Sequence, residues 1–463
     1  YLTKLAIDDH ITTGNLEGLD RIAVAFLVVL VGLFVLEYLQ TYTMQMMGQR
    51  IMFDLRMEIY RHLQRLDVRF YDRNPVGRLM TRVTTDVDTL NDLFASGVIS
   101  VFRDVFTLSG IMVVLIVMDW RLALVAFSVL PFIAWVTQWF RRNARDSYRQ
   151  VRGGIAKINA FLQENITGMA TVQVFGRERR NYEQFDHINS GHRDAHVASI
   201  VYYATFYPAI ELLGSVATAL LIWYGGGRVV QGTVELGALV AFLQYSQRFF
   251  KPISDLAEKF NVMQSAMASS ERIFDLLDTP PLVTSPPDAK SQPMRGGGHI
   301  RFEHVWFAYR DEEFVLRDVS FEVSPGERVG VVGATGAGKT TLINLLMRFY
   351  DVNQGRITID GVDIREMKLD ALRKQFGLVL QDVYLFSGTI RENIRLGHKE
   401  IGDEEVRAAA ASVRADRFIE RVADGFDGKV AERGTTLSTG QRQLLSFARA
   451  LAFAPDVLLL DEA

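Results

Sequence analysis

The sequence predicts a multi-domain membrane protein: an all-α transmembrane domain with long cytoplasmic helix extensions over residues 1–278, then an α/β phosphate-loop domain over residues 299–463. Three observations carry this expectation. Apolar stretches recur through the first part, a complete phosphate-loop pattern stands in the second, and a Pro/Gly-rich linker at residues 279–298 separates them. At 463 residues the chain exceeds one ordinary domain, and 49% hydrophobic content with 30 Phe suits a membrane component. The net charge of −3 leaves no basic excess, which argues against a nucleic-acid partner. With no Cys, disulfides and thiolate metal sites are excluded from this stretch.

The membrane part opens with polar residues 1–20, including Asp8, Asp9 and His10, before a first apolar span at 22–43. A charged helical stretch at 48–92 carries eight Arg between Arg50 and Arg82. A second span covers 97–118, and after the turn Asp119-Trp120 a third covers 122–140. Another charged stretch opens with Arg141-Arg142, the fourth span covers 204–224, and a weaker fifth covers 236–250 and continues as an amphipathic helix to 277. The Arg-rich stretches belong on the cytoplasmic side, with the short loops at Asp119 and Gly226 outside. Five spans and a cytoplasmic C-terminal domain would start residue 1 outside, so a further span is expected upstream. Arg103, Asp104, Glu211, Gln244 and Arg248 lie within spans and must face a cavity or each other. An internal pair or a snorkelling Arg explains them as well as a substrate contact does, and none is assigned to a site.

Two short segments interrupt the polar stretches. Phe70-Tyr71-Asp72-Arg73-Asn74-Pro75-Val76-Gly77-Arg78 ends one helix, turns at Asn-Pro and starts another, and a second segment runs between Gly168 and Gly176. Pro280-Pro281, Pro286-Pro287, Pro293 and Gly296-Gly297-Gly298 mark the linker, after which Val319, Phe321 and Val323 alternate as a half-exposed strand.

The phosphate loop is Gly333-Ala334-Thr335-Gly336-Ala337-Gly338-Lys339-Thr340, followed by Thr341. The run Val329-Gly330-Val331-Val332 reads as a buried strand entering it, and residues 341–347 as a helix leaving it. Backbone amides there curl around phosphates at a helix N-terminus, Lys339 reaches the β- and γ-phosphates, and Thr340 ligates Mg²⁺. Val457-Leu458-Leu459-Leu460 reads as a parallel strand buried on both faces. It delivers Asp461 towards Mg²⁺, directly or through water, and Glu462 as the general base for the attacking water. Ser438 with Gln441 forms a capping-box pattern, so Ser438 starts a helix that can face an anion.

Leu437-Ser438-Thr439-Gly440-Gln441 resembles the signature of ATP-binding-cassette (ABC) ATPases, departing from the family pattern where Thr439 stands for Gly. The resemblance implies that Tyr309 lies against adenine, that Gln381 touches Mg²⁺ and the attacking water, and that Ser438, Gly440 and Gln441 contact ATP held by a second half. The segment from Leu385 to Ile394 resembles the exporter branch, Glu432-Arg433-Gly434 resembles its contact with intracellular loops, and the two interrupting segments resemble coupling helices. Taken whole, the chain resembles half of an ABC exporter of the bacterial multidrug and lipid-export type. That implies an inner-membrane protein with a cytoplasmic ATPase, using ATP and Mg²⁺ to move a hydrophobic or amphipathic drug, lipid or peptide. Thr439 beside an intact Glu462 resembles the catalytically competent half of heterodimeric exporters, so a heterodimer is expected over a homodimer. A regulatory ABC half that gates a partner without pumping is the alternative, and Glu462 weighs against it. Relatives of this type continue beyond the signature strand with a dimer-crossing loop and a switch histidine, which are expected downstream of residue 463.

Overall fold

The computed structural model describes residues 2–11, 18–94, 99–289 and 297–461. They form two compact units, Tyr1–Tyr60 with Met80–Leu276, and Arg61–Leu79 with Leu277–Ala463. Part of the linker, residues 290–296, lies outside the described residues, as does Glu462.

The described residues of the membrane part form helices joined by short turns, with no strand among them. A short helix α1 (Leu2–Leu5) and a π-helical turn (Ala6–Ile11) precede α2 (Leu19–Leu63), whose Phe26, Leu27, Leu33 and Phe34 are exposed, as suits side chains that meet lipid. Asp67 caps α3 (Val68–Arg73) by accepting from the Phe70 amide, and Asn74 ends it. Pro75 then precedes α4 (Val76–Thr81), because proline fits a first helical turn but cannot continue a helix before it. A π-helical stretch Arg82–Asp86 leads into α5 (Val87–Asp92), followed by α6 (Ile99–Met118) and α7 (Trp120–Phe127). The turn between α6 and α7 is fixed by Asp119, whose carboxylate accepts from the Arg121 and Leu122 amides and pairs with Arg228 at 2.7 Å.

Next come α8 (Leu130–Thr167), α9 (Met169–Val174), α10 (Glu178–Val230) and α11 (Leu236–Leu277). Helices α8 and α10 run antiparallel, with Phe140 stacked on Phe206 at 4.2 Å and Phe161 on Phe185 at 5.9 Å. The interior takes Leu115, Leu122, Leu221 and Phe242 from α6, α7, α10 and α11. Among the described residues four helices are long and apolar enough to cross a membrane: Leu19–Leu63, Ser100–Met118, Trp120–Thr167 and Glu178–Val230. The weaker fifth stretch is helical, but its apolar described part, Leu236–Ser246, is shorter than a full span. Of the polar residues placed in the spans, Asp104 is buried beside Arg103 at 3.8 Å, while Glu211, Gln244 and Arg248 are exposed in the single chain.

The second unit contains β1 (Ile300–Ala308), β2 (Phe314–Val323), α12 (Lys339–Leu346), β3 (Gln354–Ile359) and β4 (Val362–Asp363). These precede α13 (Leu369–Lys374), β5 (Phe376–Val379), β6 (Gly388–Thr389), α14 (Ile390–Arg395), α15 (Asp403–Ser412) and α16 (Asp416–Ile419). The chain then forms β7 (Lys429–Val430), α17 (Thr439–Ala452) and β8 (Val457–Leu460). An antiparallel sheet has the order β2-β1-β3-β4, β5 pairs with β8 in parallel, and β6 pairs with β7. Val319, Phe321 and Val323 are half-buried and alternate with exposed residues, with Phe321 stacked on Phe302 at 4.5 Å.

Two apolar cores divide this unit. One gathers Phe302, Phe307, Leu316, Leu345, Ile357 and Leu372, and the other Leu385, Ile390, Ile394, Val406, Leu445 and Ala448.

Two expectations are corrected. Val329–Val332 is not a buried strand: Val329, Val331 and Val332 are 49%, 52% and 96% exposed, and no ladder forms there. Strand β8 forms but is not buried on both faces, since Leu458 and Leu460 are exposed while Val457 and Leu459 are half-buried. Both have one physical cause. A strand needs a neighbour to complete its hydrogen bonds and cover its side chains, and among the described residues β5 alone pairs with β8 and nothing pairs with residues 329–332.

Candidate nucleotide site

The phosphate loop delivers the chain into α12, which begins at Lys339 directly after Gly338 in left-handed backbone at φ 91°. Glycine is required there on two counts: φ is positive, and a Cβ would stand 2.7 Å from Leu316 Cδ2. Gly336 has φ 85° with open space around it. The Lys339 Nζ donates to the carbonyls of Gly333 at 2.9 Å and Ala334 at 3.2 Å, and the Ala337 amide donates to Ala334 O at 3.1 Å. The lysine therefore folds back over its own loop. Thr335 is exposed on the same loop.

Across the site, the Thr340 hydroxyl donates to Asp461 Oδ1 at 2.9 Å, and Asp461 is buried. Asp461 is placed there by the sheet, because its amide donates to Val379 O at 2.9 Å and so continues the β5–β8 ladder. Gln381 lies two residues past the end of β5 and Asp461 one past the end of β8, so both stand near the C-terminal ends of adjacent parallel strands. A hydroxyl and a carboxylate within hydrogen-bond reach form the hard oxygen pair that suits Mg²⁺, so the residues fit the expected ion.

Tyr309 is anchored to the same helix. Its hydroxyl donates to Thr341 Oγ1 at 3.1 Å and accepts from Asn344 Nδ2 at 3.3 Å. The ring meets Phe307 and Tyr350 edge-on, with centroids 4.8 Å and 5.1 Å away.

The signature belongs to the other core. Ser438 caps α17: its Oγ accepts from the Gln441 amide at 3.2 Å, and Gln441 Oε1 accepts from the Ser438 amide at 2.9 Å. Ser438, Thr439 and Gly440 are exposed at the helix start, and no atom lies within 4 Å of a Cβ built on Gly440. The Arg442 guanidinium donates to the Thr439 hydroxyl at 3.2 Å.

Sequence reasoning singled out residues 70–78 without their partners, and it missed the role of Arg449 altogether. The segment lies in residues 61–79, which belong to the same unit as the nucleotide site. The Tyr350 hydroxyl donates to the Asp72 carboxylate, Arg73 donates to Tyr309 O at 3.5 Å, and Asp67 accepts from the Leu282 amide at 2.8 Å. Burial raises the Tyr350 phenol above its ordinary pKa, and Asp72 raises it further, so it stays protonated as a donor. Arg449 on α17 donates to Asn393 O at 2.9 Å and Tyr384 O at 3.0 Å. Asn393 is buried and spans the Phe386 amide and carbonyl at 2.8 Å each. The helix-turn-helix signal at residues 70–78 could not name Tyr350, Tyr309 or Leu282 as partners, and Arg449 has no short motif, because these contacts join residues far apart in the chain.

Comparison with known proteins agrees with this geometry. Residues 1–253 match the ABC transporter transmembrane region family, and residues 316–463 match the ABC transporter family. An uncharacterised ABC transporter ATP-binding protein of Bacillus subtilis, YknV, is 39% identical over 99% of this chain and 76% of its own length. An ATP-dependent lipid A-core flippase of Syntrophus aciditrophicus is 35% identical over 100% of this chain and 77% of its own. A solved bacterial Atm1-family ABC exporter with ATP bound superposes with a TM-score of 0.79 at 27% identity, covering 100% of this chain and 81% of that one. With a membrane region and a phosphate-loop ATPase on one polypeptide, the chain belongs to the ABC transporters, as a half-transporter of the multidrug and lipid-export type.

Proposed function

We propose that this chain is one half of an exporter that binds and hydrolyses ATP to move a hydrophobic or amphipathic drug, lipid or peptide across a bacterial inner membrane by alternating access, with its ATPase in the cytoplasm. The observation that carries this reading is the joining of Thr340 to Asp461 at 2.9 Å beneath a phosphate loop whose Lys339 leads α12. In this reading Gly333 to Thr341 bind the phosphates and Tyr309 takes the adenine. Thr340, Gln381 and Asp461 hold Mg²⁺, which neutralises charge on the phosphates. Glu462 accepts the proton of the attacking water. Ser438, Gly440 and Gln441 serve ATP bound by a second half, and binding in that sandwich favours one orientation of the membrane helices over the other. In full-length protein, Glu462→Gln keeps ATP affinity and loses hydrolysis, whereas Lys339→Ala weakens ATP binding itself; equal loss of binding in both variants contradicts these roles.

The second half is proposed to be a related but different chain. The Thr439 side chain stands at the exposed start of α17, held by Arg442, where the opposing nucleotide must approach closely. Such bulk is best tolerated if that opposing site is slow. Co-expression with its partner is expected to give a heterodimer whose other half lacks a Glu at the position of Glu462. A stable dimer of this chain alone with two equally active sites refutes it.

A further inference from the structure

One buried carboxylate in the membrane unit is used by none of the chemistry above. Asp86 is 6% exposed and closes the π-helical stretch Arg82–Asp86. Its Oδ2 accepts from Arg82 Nη1 at 2.7 Å within its own element. From α11, Ser269 Oγ donates to Asp86 Oδ1 at 3.0 Å and Arg272 Nε to Oδ2 at 3.2 Å, while Arg272 Nη2 also donates to the carboxylate and to Ser269 Oγ at 2.8 Å. Burial pushes this carboxyl up, but the hydrogen bonds from Arg272, Arg82 and Ser269 outweigh it and hold the group below its ordinary range, so it stays charged. A π-helical turn is rare, and where it occurs it is frequently at a functional site. Here Arg82 and Asp86 pair at i,i+4 within the turn while Asp86 also accepts from Ser269 and Arg272 of α11. If Arg272 leaves, this enclosed carboxylate keeps Arg82 but loses one of its two cations and stays out of water, which makes the pairing costly to break part-way through a cycle.

The place of the pair in the chain gives it a role. Asp86 follows α4 closely, downstream of the segment whose Asp72 and Arg73 meet the ATPase, and Arg272 lies near the end of α11, which leads into the linker. We propose that Asp86 is a positioning residue that clasps the π-turn and α5 to α11 throughout the transport cycle, so that movement arriving through residues 68–81 and through the linker reaches the membrane helices in step. The consequence for transport rests on the exporter reading, but the clasp itself is read by distance and stands or falls without it.

The test uses the full-length transporter with its partner half, in lipid. Met80 and Met267 are exposed and this stretch has no cysteine, so Met80→Cys with Met267→Cys accepts a spin-label pair across the clasp. In nucleotide-free, ATP-bound and vanadate-trapped protein the distance is expected to hold within about 2 Å, well short of a helix-turn slip of about 5 Å. With Asp86→Asn added, hydrolysis stays within about twofold and the distance broadens or splits in at least one nucleotide state. Arg272→Lys, which keeps charge but loses the fork, gives an intermediate result and replaces Asp86→Asn if that variant fails to assemble. A native distance that shifts by about 5 Å between states overturns the proposal, as does an Asp86→Asn protein with one unchanged distance in all three.

Discussion

The Tyr350 hydroxyl donates a hydrogen bond to Asp72, and the same buried ring meets Tyr309 edge-on at 5.1 Å, so one tyrosine touches both the segment at residues 70–78 and the residue proposed to take adenine. Because Asp72 is exposed, the bond should be worth about 1 kcal/mol rather than the upper value for charged partners. Tyr350→Phe and Asp72→Asn are each expected to lower stability by about that amount, with the double variant no worse than either alone. Denaturant unfolding of the four proteins checks this; additive losses show that the two groups do not interact.

Gly338→Ala is expected to be more damaging than Gly336→Ala. Both force a side chain into positive φ, at about 1–2 kcal/mol, but only at Gly338 does the new Cβ also meet Leu316 Cδ2 at 2.7 Å. Titration with a fluorescent ATP analogue should show affinity falling by more than about tenfold at Gly338 and by less at Gly336. Equal losses at the two positions contradict the packing explanation.

Much of the nucleotide site was legible in the sequence because its parts are short and local. The offset of Lys339 from Gly333 and the spacing of Ser438 and Gln441 each fix a turn or a helix cap within a few residues, and the structure places α12 and the capping box there. The Asn74-Pro75 turn was legible for the same reason. What failed was burial: a run of valines at 329–332 states a preference for a strand, but the ladder that realises it comes from elsewhere in the chain. The Tyr350–Asp72 and Arg272–Asp86 contacts join residues 278 and 186 positions apart, and no periodicity announces such a pair.

Arg449 is the clearest case of a half-buried cation held without a carboxylate among its partners shown here, since its bonds run to the carbonyls of Asn393 and Tyr384 and the Asn393 side chain. Burial lowers its guanidinium pKa, and the bonds tie α17 to the segment after Gln381. Arg449→Leu is expected to destabilise the ATPase unit by about 1 kcal/mol or somewhat more, because it leaves the acceptors of buried Asn393 without this donor while the exposed Tyr384 carbonyl turns to water. Arg449→Lys should recover part of this, as one ammonium cannot reach both carbonyls in the same fork. Thermal unfolding of the full-length protein in detergent distinguishes the variants, and a Leu variant as stable as the native protein contradicts the assignment.

Export against regulation is decided by whether anything moves. The full-length protein with its partner half, reconstituted in vesicles with the ATPase outward, should take up at least one member of a panel of hydrophobic drugs, lipids and peptides only when ATP and Mg²⁺ are present. The same compound should stimulate hydrolysis, and Lys339→Ala should abolish both. Nucleotide binding and hydrolysis with no ATP-dependent uptake of any compound, while a partner's conductance or activity follows ATP, would contradict the exporter reading and leave the regulatory one.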